Sequence, residues 1–249
     1  MYNNLKFLIA GDTSIVVEFG NEISNEINRK IRFLVDKLKT KNLKGIIEMT
    51  PTYRSLAITY DPILIDFNSL KNEIELICKQ TNNESFDDEV NLIEIPTLYN
   101  KEYGEDLEYV ANFNSLSIEE VIKIHTGKDY LVYMLGFMPG FTYLGGMDER
   151  IATPRLESPR LKIEPGSVGI AGKQTGMYPS ASPGGWRIIG RTPLKLYNPK
   201  NNPPVYINSG DYIRYISIDE KTFKEIENQV SENKYKIVIK KVKRSELNV

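Results

Sequence analysis

Five arginines stand close together in the second half of this chain: Arg150, Arg155, Arg160, Arg187 and Arg191. Elsewhere the chain draws most of its positive charge from lysine, so the preference for guanidinium is local. A guanidinium makes planar, bidentate hydrogen bonds to carboxylate or phosphate, which the point charge of an ammonium does not reproduce. Arg155, Arg160 and Arg191 are therefore the candidates for binding an anionic substrate, with Gln174 as a neutral donor. Arg155 and Arg160 each follow a proline, whose fixed φ stiffens the backbone that presents the side chain, and the three are expected on one concave face. The competing reading is that these arginines tie loops down by donating to backbone carbonyls.

His125 is the only histidine. It titrates near neutrality when unperturbed, which suits general acid or base catalysis. It also falls in the last turn of a helical pattern, where an imidazolium is favoured by the helix dipole, so a structural capping role stands beside the catalytic one. One histidine excludes a two-histidine metal site, and no carboxylate spacing suggests another, so no metal is expected. The single cysteine, Cys78, excludes a disulfide within the chain and continues an apolar helix face with Leu70, Ile74 and Ile77.

Residues 167–174 (SVGIAGKQ) approach a phosphate loop and fail at both ends, with serine for the first glycine and glutamine for the magnesium-binding hydroxyl. No G-x-S-x-G elbow or G-x-G-x-x-G fingerprint is present. Trp186, the only tryptophan, follows Pro183-Gly184-Gly185 and is either a core plug or the wall of a ligand pocket.

What positions these residues is a stretch, 136–190, that holds eleven of the seventeen glycines. Such density means repeated tight turns and close backbone approaches. Around it lie short strand-like runs at 130–135, 167–171, 186–189, 205–207, 212–218 and 235–242, a pattern that argues for a closed barrel. Ser117 and Glu120 form a capping box for a helix over 118–126, with Gly127 as its expected left-handed terminator.

The first third reads differently. Strand patterns at 6–10 and 14–19 form a hairpin, apolar residues at spacings of three and four mark helices over 21–40 and 66–78, and strands follow at 45–49, 55–60 and 91–96. The order strand, helix, strand, strand, helix, strand is that of a ferredoxin-like split βαβ unit. Residues 80–89 are polar and suit a linker, giving an α+β domain over 1–85 and a mainly β domain over 90–249.

With 26% charged residues and a net charge of -1, the chain lacks a basic face for nucleic acid, and its short basic tail reads as a strand end. No run reaches the length of a membrane span and no signal peptide opens the chain, so a cytoplasmic protein without a membrane partner is expected.

Three runs together resemble one known family: residues 125–146 (HTGKDYLVYMLGFMPGFTYLGG), residues 153–194 (TPRLESPRLKIEPGSVGIAGKQTGMYPSASPGGWRIIGRTPL) and residues 52–62 (TYRSLAITYDP). The chain is similar along nearly its whole length to the allophanate hydrolase subunit 1 family, which includes the KipI sporulation-kinase inhibitor and the B subunit of bacterial 5-oxoprolinase. The resemblance implies a cyclophilin-like β-barrel as the second domain. It implies a subunit, inactive alone, of an ATP-dependent complex that opens 5-oxo-L-proline to L-glutamate with A and C subunits, ATP being bound by the complex rather than clearly by this chain. The family also leaves open a KipI-like inhibitor that binds a histidine kinase, and a subunit of an allophanate or urea-type amide hydrolase. Opening an unstrained lactam requires donors for phosphate and for the substrate carboxylate, for which Arg155, Arg160, Arg191, Gln174 and the backbone amides of the turns at 166–172 are the candidates.

Overall fold

Alternating apolar residues build a four-stranded antiparallel sheet in the first part of the computed structural model, which describes Tyr2, residues 5–80 and residues 89–249. Its strands are β1 (Lys6–Ile9), β2 (Ser14–Glu18), β3 (Ile46–Pro51) and β4 (Ser55–Tyr60), in the order β1-β2-β4-β3. Ile15, Val17, Leu56 and Ile58 point from it into a core shared with helices α1 (Asn25–Lys41) and α2 (Phe67–Gln80). Ser24 caps α1 by accepting from the Ile27 amide, and Asp66 caps α2 by accepting from Asn68 and Ser69. Cys78 packs against this core, where burial pushes its thiol up to about 12, and it is therefore a thiol at neutral pH.

The split βαβ expectation is corrected in one place. The strand it needs last, 91–96, belongs to a different sheet, and its place beside β2 is taken by β1 from the start of the chain. The chain divides into two compact units, Met1–Asp87 and Asp88–Val249. The expected linker falls largely outside the described residues: Gln80 ends α2 and Glu89 begins β5 (Glu89–Thr97).

The second unit continues with α3 (Leu107–Phe113), α4 (Ile118–Thr126), β6 (Asp129–Leu135), β7 (Thr142–Gly145), β8 (Arg160–Ile163), β9 (Ser167–Ala171) and β10 (Gln174–Met177). It ends with β11 (Ser182–Gly184), β12 (Arg187–Arg191), β13 (Tyr212–Ser217), α5 (Glu220–Ser231) and β14 (Ile239–Lys243). The capping box of α4 forms as expected, whereas Gly127 has φ -82 and is not left-handed. A Cβ there would lie 2.8 Å from the Lys123 carbonyl oxygen, so close approach rather than handedness calls for glycine.

These strands do not close into one barrel, which corrects the second expectation. They form a five-stranded sheet (β14-β5-β13-β6-β7), a three-stranded sheet (β10-β9-β12) and a pair (β11-β8). Register shifts interrupt the ladders between Val132 and Met134, between Ser182 and Gly184 and between Ile188 and Gly190, the last two at a glycine. Single bridges, Leu98 to Arg191 and Thr153 to Gly172, lie outside these ladders. The expected strand at 205–207 is irregular, and the last strand begins at Ile239 rather than at 235. One parallel pair, β13 with β5, sits among antiparallel neighbours. Among the described residues, no helix is long and apolar enough to cross a membrane.

Candidate functional site

The arginines divide by what their guanidinium groups touch. At the start of α3 the Asp106 carboxylate is 8% exposed; it accepts from the Ile188 amide at 2.7 Å and pairs with Arg160 Nη2 at 2.9 Å and Arg187 Nη1 at 3.5 Å. Arg160 spends its other donors on Glu105 (2.9 Å) and on the Trp186 carbonyl (3.2 Å). Arg187 donates to the Pro154 carbonyl at 3.3 Å and stacks on Tyr109, with Cζ 3.7 Å from the ring centroid. These two arginines fasten β8 and β12 to α3. They match the loop-tying reading of the sequence.

Arg155 is exposed and lies over Trp186, 5.9 Å from the ring centroid, with no ion pair or hydrogen bond among the described residues. Trp186 itself is buried against Phe141 and Tyr178 at edge-to-face centroid distances of 5.6 and 6.3 Å. It is thus a core plug whose outer ring carries a cation. Burial pushes the Tyr178 phenol up to about 12, keeping it neutral. At the rim of this cluster Phe137 is 66% exposed with φ 66, in a tight turn where the Met138 amide donates to the Gly136 carbonyl at 2.7 Å.

Arg191 sits in a second neighbourhood. Its Nε donates to the Pro165 carbonyl at 3.0 Å and its Cζ lies 5.5 Å from the Tyr103 ring centroid. Its remaining nitrogens make no salt bridge among the described residues, although Lys162 and then the charge of Arg191 hold the Glu164 carboxyl below its ordinary value. It borders a cleft of about 190 Å³ between residues 191–195 and α5. No described contact joins Arg191 to Arg155 or Arg160. Arg155 and Arg160 do meet at Trp186, one on the ring and one on the carbonyl. The expected convergence of all three is therefore limited to that pair.

Gln174 begins β10, directly after the two-residue turn Gly172-Lys173 that joins it to β9. Gly172 has φ 60, as such hairpin turns require, and Lys173 pairs with Glu149 at 2.6 Å. The segment resembling a phosphate loop is thus a β-hairpin.

His125 is in the core, with none of its surface exposed. Thr175 Oγ1 lies 2.8 Å from Nε2 and also donates to the Gly169 carbonyl at 3.1 Å. A hydroxyl has one proton, so Nε2–H donates to Thr175 and Nδ1 accepts from Tyr99 Oη at 2.8 Å. The Tyr215 ring lies 4.4 Å away, centroid to centroid. Burial lowers the imidazole to about 3, so it is neutral at physiological pH. This geometry gives the imidazole two internal partners and no surface from which to reach a substrate. Nor does a neutral ring act as the charged helix cap.

Asp106, Tyr103, Tyr109 and Glu227 were not legible as site residues, because each lies on an element that approaches the arginines only in the folded chain. No group of three histidine, cysteine or carboxylate residues able to hold a metal occurs among the described residues.

Residues 5–207 match the family model described as "Carboxyltransferase domain, subdomain C and D". The chain is 44% identical to the B subunit of 5-oxoprolinase from Bacillus subtilis (strain 168) over 86% of this chain and 92% of that protein. It is 36% identical to the B subunit of 5-oxoprolinase from Escherichia coli O157:H7 over 84% of this chain and 94% of that one. Among solved structures, that of TTHA0988 superposes with a TM-score of 0.74 at 32% identity, covering 83% of this chain and 40% of that chain. By family model and by relatives alike, the chain belongs to the carboxyltransferase domain, subdomain C and D, family.

Proposed function

We propose that this chain is the B-type subunit of an ATP-dependent 5-oxoprolinase, which opens 5-oxo-L-proline to L-glutamate together with A and C subunits and is inactive alone. The observation that carries the reading is the 44% identity to the B subunit of a bacterial 5-oxoprolinase over nearly the full length of both chains. Two features of the second unit agree with it. Arg155 and Arg191 present guanidinium groups without salt bridges among the described residues, as the binding of an anionic substrate requires. Arg160 supports the Trp186 neighbourhood of Arg155 instead of contacting substrate, and His125 holds the core through Tyr99 and Thr175.

ATP supplies activation of the lactam oxygen, since an amide is a poor electrophile. In this reading ATP belongs to the partner subunits, because the glycine-rich segment with a lysine in this chain forms a hairpin. The test is reconstitution with A and C subunits, following ATP-dependent release of glutamate. Turnover by the complete complex and none by this chain alone is expected. Turnover by the purified chain alone, or none by the complete complex, refutes the proposal.

A further inference from the structure

The cleft beside Arg191 gathers ionised groups that do not satisfy one another. Arg191 ends β12, Lys195 comes from the segment after it, and Glu227 from α5. Among the described residues none of the three makes an ion pair, although all line the same space. Arg191 is fixed in place by the Pro165 carbonyl and the Tyr103 ring, so its terminal nitrogens are presented at low entropic cost. The nearby Glu164 is engaged by Lys162 at 2.6 Å. Leu194, Val230 and the flanking prolines give the rest of the lining an apolar character. At about 190 Å³ the cleft is below the roughly 300–1,000 Å³ of drug-sized sites and suits a small metabolite.

We infer that this cleft binds a small monocarboxylate that also carries an N–H donor, with the carboxylate on Arg191 and Lys195, the N–H on Glu227 and the carbon skeleton against Leu194 and Val230. Two cations and one carboxylate leave one net positive charge, which complements a monoanion. The identification of the ligand as 5-oxo-L-proline, whose carboxylate and lactam N–H fit these groups, rests on the function proposed above.

The experiment titrates 5-oxo-L-proline into the purified full chain and follows backbone amide resonances, with 2-pyrrolidinone, the same lactam without the carboxylate, as control. Saturable shifts at Leu194, Lys195, Val230 and Ser231 are expected with 5-oxo-L-proline and not with 2-pyrrolidinone. Arg191→Met weakens the binding by roughly tenfold or more, and Lys195→Met, at an exposed position with little bearing on folding, by several-fold. Absence of shifts, equal shifts from 2-pyrrolidinone, or unchanged affinity in both variants overturns the inference. Turnover by the reconstituted complex separates this failure from that of the function. A complex that turns over 5-oxo-L-proline with the same KM in Arg191→Met removes the cleft and leaves the function standing. An inactive wild-type complex whose cleft still titrates removes the function alone.

Discussion

Replacing Arg160 with lysine keeps one positive charge and removes the planar geometry that reaches three acceptors at once. In the structure those acceptors are Glu105, Asp106 and the Trp186 carbonyl, at 2.9, 2.9 and 3.2 Å. Their worth differs. Glu105 is 56% exposed, so its pair contributes about 0–1 kcal/mol. The Asp106 carboxylate is 8% exposed, and a charge-assisted bond to it contributes roughly 1.5–3 kcal/mol; the carbonyl bond adds about 1 kcal/mol. An ammonium in the same place reaches one of these acceptors, and Arg187 still faces Asp106 at 3.5 Å. The expected loss is therefore about 2 kcal/mol, which for a unit spanning residues 88–249 lowers Tm by about 4–8 °C. Thermal unfolding of the purified variant measures this, and turnover of the reconstituted complex below the shifted Tm is expected to stay within a few-fold of wild type. A variant that melts at the wild-type temperature while losing activity by tenfold or more refutes the structural role assigned to Arg160.

Arg155 is expected to behave oppositely. Arg155→Met leaves Tm within about 1–2 °C, because no buried partner is stranded, and lowers kcat/KM of the complex by roughly tenfold or more; unchanged activity contradicts a binding role. His125 links stability to pH. Its folded pKa of about 3 lies below the ordinary value near 6.5, so the unfolded chain takes up a proton first as pH falls. Stability from this residue is full above about pH 6.5 and is lost towards pH 3, at up to about 1.4 kcal/mol per pH unit. His125→Gln, though less stable at pH 7.5, therefore shows a flatter decline between pH 6.5 and 4.5 in urea unfolding, and an equally steep decline contradicts the neutral buried imidazole. Asp129 is 1% exposed, accepts two bonds from Arg214 at 2.6 Å each and accepts from the Asn248 amide. Asp129→Ala removes the acceptor of a guanidinium that is 32% exposed and so still reached by solvent, and is expected to cost about 1.5–3 kcal/mol in urea unfolding, whereas a cost below about 0.5 kcal/mol contradicts the pairing.

Periodicity made the helices and hairpins of the first unit readable, since Ile27, Ile31, Leu34 and Leu38 must share one face. It did not reveal strand order. The hairpin of β1 and β2 was readable, but that the strand at 91–96 leaves the first sheet and pairs with β13 and β14 depends on contacts between distant segments, which no local pattern encodes. The glycine-rich stretch was legible as a set of tight turns, as the left-handed φ of Gly140, Gly146, Gly166 and Gly172 shows. Two of its glycines sit at register shifts inside the β11–β8 and β12–β9 ladders, and its strands pair into separate sheets that the strand pattern alone did not separate.

At the site, residue type marked the arginines but did not sort them. Arg160 and Arg155 stand in identical Pro-Arg pairs, yet Asp106 consumes the first and leaves the second exposed. His125 was ambiguous for a related reason. Helix position was readable, but burial among Tyr99, Tyr130 and Tyr215 is a property of the packed core.

Whether this chain is a required component of a 5-oxoprolinase complex is decided by titrating the purified chain into fixed amounts of A and C subunits and measuring ATP-dependent glutamate formation from 5-oxo-L-proline. No turnover is expected from A and C alone and none from this chain alone, with a rate that rises as chain is added to a plateau at a fixed subunit ratio. Full turnover by A and C before any addition, or no turnover at any ratio, would contradict that role.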